Sequence, residues 1–535
     1  MQILHIVLIA LSFSLAACTH AVRSDAPASP GTLTFVHLND TYRIDAVEDG
    51  ASGGFGRVAT IVKELNAEGR DVRITQGGDF LYPSLESQLW DGMQIIEAFN
   101  FLDGLAPMYV VPGNHEFDPR EPGPVIDAVR KSEFDWLGDN VQLETGASDV
   151  DRRLESGFTF TAGGRRIGVF ALTLHADDGG NQRDYAPVDK DYLEAAKWAL
   201  AALQREGVDL IVGLTHLHVE TDLEIARLKA DYPNFLFILG GHEHEPEFHA
   251  GDDRAAAVIK GASNARTIWQ VDVNFDNAGG APRFLPTKIQ VDESIVEDSE
   301  YNLIRDKWRA QLLERMPYLE STIGYAAVPL DAREVTVRND ESNWGNFIAD
   351  QMRVAFAGKR ADLAFVNSGT LRIDDWIADD VTFEDVGRTF GFSSYLRYMT
   401  MNGGDFRDLL EAGYRGEGPS KGYFPQISGF RVCVDRSRPD GERIVQLQVP
   451  GDPGWREIDA DAEYRLVAPD FLYGGGDGYD FSAARDVSRP GSELKYLVVD
   501  AIMRAQADGE EIGTPVDPAN PRIAMLPGGE SRCFE

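Results

Sequence analysis

Five short stretches of the chain end in side chains that bind hard and borderline metal ions. They are Asn39-Asp40, Gly77-Gly78-Asp79, Gly113-Asn114-His115-Glu116-Phe117-Asp118, Thr215-His216 and Gly240-Gly241-His242-Glu243-His244. Asp, Asn and His offer oxygen and imidazole donors that suit Mn, Zn, Fe, Co or Mg, and no cysteine stands among them, so a thiolate zinc site is excluded. A carboxylate such as Asp79 can bridge two cations, and two cations about 4 Å apart can activate a shared hydroxide and clamp a transferring phosphoryl group. Singly the blocks say little: Asn39-Asp40 also reads as a turn, Gly78-Asp79 as a strand-ending loop and His216 as a structural histidine. Their recurrence, each behind an apolar run, points to a dinuclear metal centre.

The elements that must position these residues are legible around them. Each block follows a short β-rich run: Leu33–Leu38, Val72–Thr75, Tyr109–Val111, Leu210–Leu214 and Phe235–Leu239. Helical periodicity fills Gly56–Ala67 and Tyr192–Glu206 between them. In layered α/β architecture the carboxyl ends of the strands converge on one crevice, where residues far apart in sequence meet. Farther on, the charged and helically periodic stretch Asp298–Met316 reads as a linker helix between two domains, either a hinge or a rigid spacer.

With 535 residues, the chain has room for more than one domain and for large cores. Hydrophobic residues at 43% and charged residues at 26% exclude wholesale disorder and a multi-span membrane protein. The 51 basic and 87 acidic side chains leave a net charge of −36, which excludes nucleic acid as a partner. An anionic substrate then needs a local positive centre, supplied by bound metal ions or a few arginines. The first residues read as a processing segment: Ile6–Ala17 is apolar and small throughout, the length of a secretory core and too short to span a bilayer. Leu15-Ala16-Ala17-Cys18 resembles the lipobox of bacterial lipoproteins, which implies a lipid on Cys18, although no Lys or Arg precedes it. An ordinary secretory leader with an incidental Cys18 is the alternative. The expected location is periplasmic, with at most a lipid anchor to the membrane and an oligomeric state left open. Cys433 and Cys533 then either form a bridge or stay as two thiols.

The blocks together resemble the calcineurin-like metallophosphoesterases, and the chain beyond the tether resembles the bacterial 5′-nucleotidase / UDP-sugar hydrolase family. The resemblance continues in Asn343-Trp344-Gly345-Asn346-Phe347-Ile348-Ala349-Asp350 and in Asn367-Ser368-Gly369-Thr370-Leu371-Arg372. It extends to Phe424-Pro425-Gln426-Ile427-Ser428-Gly429 and Phe471-Leu472-Tyr473-Gly474-Gly475-Gly476-Asp477-Gly478-Tyr479. The fold it implies is α/β: a four-layer metallophosphoesterase β-sandwich flanked by helices, followed by an α+β C-terminal substrate-binding domain. The expected divisions are a leader at 1–17, a tether at 18–31, the metallophosphoesterase domain at 32–290, a linker helix at 291–320 and the C-terminal domain at 321–535. Carried over by position, Asp40, Asp79 and His244 hold one divalent ion, and Asp79, Asn114, His216 and His242 hold the other. His115 serves the transition state or the leaving oxygen, with Asp118 orienting it. Arg372 contacts phosphate, Phe424 and Phe471 sandwich a nucleobase, and Asp477 accepts ribose hydroxyls. For Arg372 a surface salt bridge, and for the two rings core packing, are the plainer readings.

The implied activity is in-line hydrolysis of nucleoside 5′-monophosphates or related nucleotides by a metal-bridging hydroxide. Cleavage of cyclic nucleotides or nucleotide sugars, or nucleotide binding without turnover, are the alternatives. Three positions depart from the family pattern. Tyr42 stands where a metal-binding His is usual, His218 follows Thr-His where Gly is common, and Asn402 replaces a second phosphate-binding Arg, for which Arg388 or Arg397 could substitute.

Overall fold

The computed structural model describes residues 32–175, 183–275, 282–356, 358–416, 421–526 and 533–534; the leader, Cys18 and the tether lie outside them. The run Leu33–Leu38 is buried at every position, the mark of a strand covered on both faces. Leu33 and Phe35 face a core shared by two sheets, and Val36 and Leu38 face a helical layer. The first half of the described chain holds β1 (Leu33–Leu38), β2 (Asp71–Gln76), β3 (Met108–Val110), β4 (Asp135–Leu137), β5 (Leu154–Glu155), β6 (Phe158–Ala162), β7 (Arg165–Thr173), β8 (Leu210–His216), β9 (Phe235–Gly240), β10 (Glu247–His249), β11 (Ala257–Lys260), β12 (Thr267–Asn274) and β13 (Arg283–Gln290).

They form two sheets, ordered β13-β12-β1-β2-β3-β4-β5 and β10-β11-β9-β8-β7-β6. Phe35, Leu210, Val212, Leu214, Phe237 and Val271 fill the space between them. Helices Phe55–Ala67, Met93–Asp103 and Gly123–Lys131 cover the outer face of the first sheet, and Tyr192–Arg205 and Val219–Ala226 cover that of the second. The four-layer expectation is borne out.

Register brings the chemistry together. In the parallel pairs Leu38 lies beside Gln76 and Gln76 beside Val110, so the segments carrying Asp40, Asp79 and Asn114 leave the sheet at one edge. Thr215 lies beside Gly240 in the second sheet, which aligns His216 with the loop of His242 and His244. His37 joins the two sheets, with its ring nitrogens 3.1 Å from Thr75 Oγ1 and 3.0 Å from Gly240 O. Burial pushes this imidazole down to about 4, so it is a neutral structural histidine.

Helix Ser299–Arg315 begins at Asp298, whose carboxylate accepts from the amides of Glu300 and Tyr301. Its Tyr301 and Trp308 are buried in the outer core of the first sheet. The second half of the chain centres on a four-stranded sheet ordered Leu396–Asn402, Glu463–Pro469, Leu363–Asn367 and Pro425–Ser428. Helix Asn343–Met352 packs Trp344, Ile348 and Met352 on one face, and helix Gly403–Glu411 packs Phe406 and Leu410 on the other. A second sheet includes Arg431–Val434 beside Ile523–Met525, and a disulfide joins Cys433 to Cys533 there. Ion pairs tie the halves together: Arg43 to Asp375 at 3.0 Å, Arg266 to Asp374 at 3.2 Å and Arg388 to Glu86 at 2.9 Å. Among the described residues, no helix is long and apolar enough to cross a membrane.

Candidate metal centre and substrate cleft

Several of the expected ligands sit in left-handed backbone conformations: φ is 52° at Asp40, 59° at Asp79, 88° at His242 and 65° at His244. Such conformations are uncommon for non-glycine residues and cluster at functional sites. They turn each side chain back toward the crevice as soon as its strand ends. Close approach of the loops depends on glycine: a Cβ on Gly78 would lie 2.5 Å from His216 Nδ1, and one on Gly113 would lie 2.2 Å from Asp79 Oδ1.

Asp40, Asp79 and His244 each bring a donor atom within 4.8 Å of the others. Asp40 Oδ1 is 3.3 Å from His244 Nε2, and Asp40 Oδ2 accepts from the His242 amide at 2.8 Å. Asp79 Oδ2 is 3.4 Å from His216 Nε2, which is 3.0 Å from Asn114 Oδ1. The structure therefore brings Asp79, Asn114 and His216 to one point, and the His242 ring lies 5.2 Å from that of His216. His216 Nδ1 lies 2.6 Å from the Gly77 carbonyl, a contact that directs Nε2 into the centre. Burial alone would lower His216, but Asp79 and Asp40 outweigh it and lift it to about 10. Two buried carboxylates facing one point call for a cation, and this all-oxygen-and-imidazole set fits divalent ions of the Mn, Zn, Mg, Co or Fe type.

The Asp79 loop is braced from below. Glu116 is fully buried, and its carboxylate accepts from the amides of Asp79, Phe80, Leu81 and Gly113. Burial and the nearby Asp79 push it up to about 7. The sequence gives Glu116 no role of its own; its place inside the Gly113–Asp118 block is the available signal. Lys260, also fully buried, donates to the carbonyls of Leu217 and Gly241 and pairs with Glu243 and Asp222. It pins the two histidine loops to each other.

Tyr42 stands inside the first ligand group rather than outside it. Its hydroxyl is 3.1 Å from Asp79 Oδ2 and 3.0 Å from His244 Nε2. Burial and the two carboxylates raise its phenol well above the ordinary range. His218 packs edge-on to His242, with ring centroids 4.5 Å apart.

His115 Nδ1 lies 2.9 Å from Asp118, and its Nε2 lies 3.2 Å from an Nη of Arg372. Burial would lower His115, but Asp118 and Asp79 raise it. Arg372 belongs to the second half of the chain, yet its guanidinium lies over the rings of Tyr42 and Phe392 at 5.3 and 5.5 Å. Its Nη1 is buried without a hydrogen-bond partner among the described residues. The surface salt bridge is not what Arg372 makes.

Farther out, Phe471 is 52% exposed and lies against Gly476, where a Cβ would meet its ring at 2.5 Å. Asp477 accepts from Asn367 Nδ2 at 2.8 Å. Phe424, expected opposite Phe471, is 1% exposed and packs edge-on against Tyr414. Arg388 is held by Glu86 and Glu384, and Arg397 donates to the Ser488 carbonyl. Neither approaches His115 among the contacts described, and Asn402 accepts from Arg485.

Residues 33–246 match the calcineurin-like phosphoesterase family, and residues 322–484 match the 5′-nucleotidase C-terminal domain. The trifunctional nucleotide phosphoesterase protein YfkN of Bacillus subtilis is 26% identical over 508 residues, covering 87% of this chain. The chain spans only 33% of YfkN's length. The 5′-nucleotidase of Bos taurus is 24% identical over 512 residues, covering 88% of each chain. The crystal structure of a 5′-nucleotidase precursor from Thermus thermophilus superposes with a TM-score of 0.79 at 25% identity, covering 93% of this chain and 100% of that one. With both domains matched in order and a metal centre at the strand ends, the chain belongs to the metal-dependent phosphoester hydrolases that join a calcineurin-like phosphoesterase domain to a 5′-nucleotidase C-terminal domain.

Proposed function

We propose that the protein releases phosphate from nucleoside 5′-monophosphates or closely related nucleotides. The observation that carries this reading is Arg372, which reaches from the second half of the chain to within 3.2 Å of His115, beside the Asp79 centre. Asp40, Asp79 and His244 are assigned to one divalent ion, and Asp79, Asn114, His216 and His242 to the other. Bound there, the ions supply Lewis-acid polarisation and lower the pKa of a coordinated water. Arg372 donates from its unpartnered Nη1 to a phosphoryl oxygen, as a planar guanidinium suits. Asp118 holds the His115 ring so that Nε2 faces the phosphoryl group and can hold or release a proton there. Phe471 offers one ring face to a base, and Asp477 accepts from a ribose hydroxyl. The experiment is phosphate release from a nucleoside monophosphate, a cyclic nucleotide, a nucleotide sugar and an aryl phosphate. Preference for the monophosphate, with R372A slowing both it and the aryl phosphate, supports the reading, and equal wild-type rates on the aryl phosphate refute it.

We also propose that residues 1–17 are a leader, that Cys18 carries lipid on a tether to residue 31, and that the domains run 32–290 and 321–535 about helix 291–320. The Cys433–Cys533 disulfide supports an oxidising compartment such as the periplasm. Incorporation of labelled fatty acid into the native chain, lost in C18S, tests the anchor.

A further inference from the structure

Among the described residues, His244 is the assigned ligand whose second ring nitrogen meets a side chain of the second half of the chain. Its Nδ1 lies 2.7 Å from Glu334 Oε2, while His216 turns to the Gly77 carbonyl within its own domain. His115, in the same centre, is oriented by Asp118 three residues away. Glu334 is 1% exposed and firmly placed: Arg338 donates to its Oε1 at 2.9 Å, and its own amide donates to Asp374 at 3.0 Å. Its Oε2 also accepts from Ser263 of the first domain at 2.8 Å. A carboxylate on the far nitrogen of a metal-binding histidine fixes the tautomer and the ring direction. That matters here, because His244 occupies a left-handed backbone position and its Nε2 lies 3.0 Å from the Tyr42 hydroxyl.

We infer that Glu334 is a positioning residue for His244, so that loading of the first metal position depends on apposition of the two domains. The inference rests on the assignment of His244 as a ligand. Parting the domains would take from His244 its carboxylate and from Glu334 two of its partners, whereas the His115–Asp118 pair would stay whole.

The test is titration of the full mature chain with Mn²⁺ by calorimetry, with metal content measured after gel filtration. The binding class lost in H244A identifies the first position. E334Q, which keeps the side-chain shape, and E334A should weaken that class by about 10- to 100-fold and leave the other class unchanged. D118N should leave both classes unchanged. Folding of each variant is verified by circular dichroism. Two classes of unchanged affinity in both Glu334 variants would overturn the inference alone. A wild-type chain with no class sensitive to H244A would overturn the ligand assignment and the inference together.

Discussion

The metal centre and the substrate cleft face each other across the domain boundary, but they are built differently. In the centre, His216 is held by the Gly77 carbonyl, the Asp79 loop by Glu116 and the histidine loops by Lys260. In the cleft, Arg372 keeps a buried Nη1 without a partner among the described residues, and Phe471 leaves half its surface open. The difference teaches where each kind of specificity resides. In the function proposed above, reactive geometry would be preorganised by the first domain, and recognition would fall to groups of the second that substrate satisfies.

Substitutions on the two sides should therefore fail differently. D79N should have the largest effect, abolishing turnover and weakening both metal positions, because both assigned ligand sets share this carboxylate; metal content and phosphate release check it. H115A should lower kcat by about 10²- to 10⁴-fold, the usual range for a lost proton-transfer group, with metal content intact. R372A should lower kcat/KM by about 10²- to 10³-fold, as loss of a donor to a charged transition state does, again with both ions retained. F471A should be the mildest, raising KM for a nucleotide by about 10-fold through a lost stacking contact of roughly 1–3 kcal/mol, and leaving an aryl phosphate unaffected. If F471A or R372A lost metal, the division between a preorganised centre and a receptive cleft would break down.

The same division governs what can be read in the sequence. Strand–loop blocks are local: an apolar run ending in Asp, Asn or His beside glycine carries both the element and its ligand, so β1 is legible at its full length from Leu33 to Leu38. Contacts between domains carry no such local mark. Glu334 lies 90 residues from His244 and belongs to none of the motif blocks. The motif of Phe424 resembles a base-stacking one, and only the fold shows its ring buried beside Tyr414. Tyr42 is visible as a departure, but only the fold shows its hydroxyl among Asp79 and His244. Arg388 and Arg397 are candidates by charge alone, and their partners depend on which elements they face.

The central claim is that the centre assembled by Asp40, Asp79, Asn114, His216, His242 and His244 hydrolyses nucleotide phosphoesters. The most direct test is phosphate release from a nucleoside monophosphate by the chain lacking residues 1–18, stripped of metal and reloaded separately with Mn, Zn, Mg, Co or Fe. Metal-dependent turnover that both D79N and H115A abolish or cripple is the predicted result. Nucleotide binding without turnover in any metal would contradict it, and would leave the second domain as a binding module.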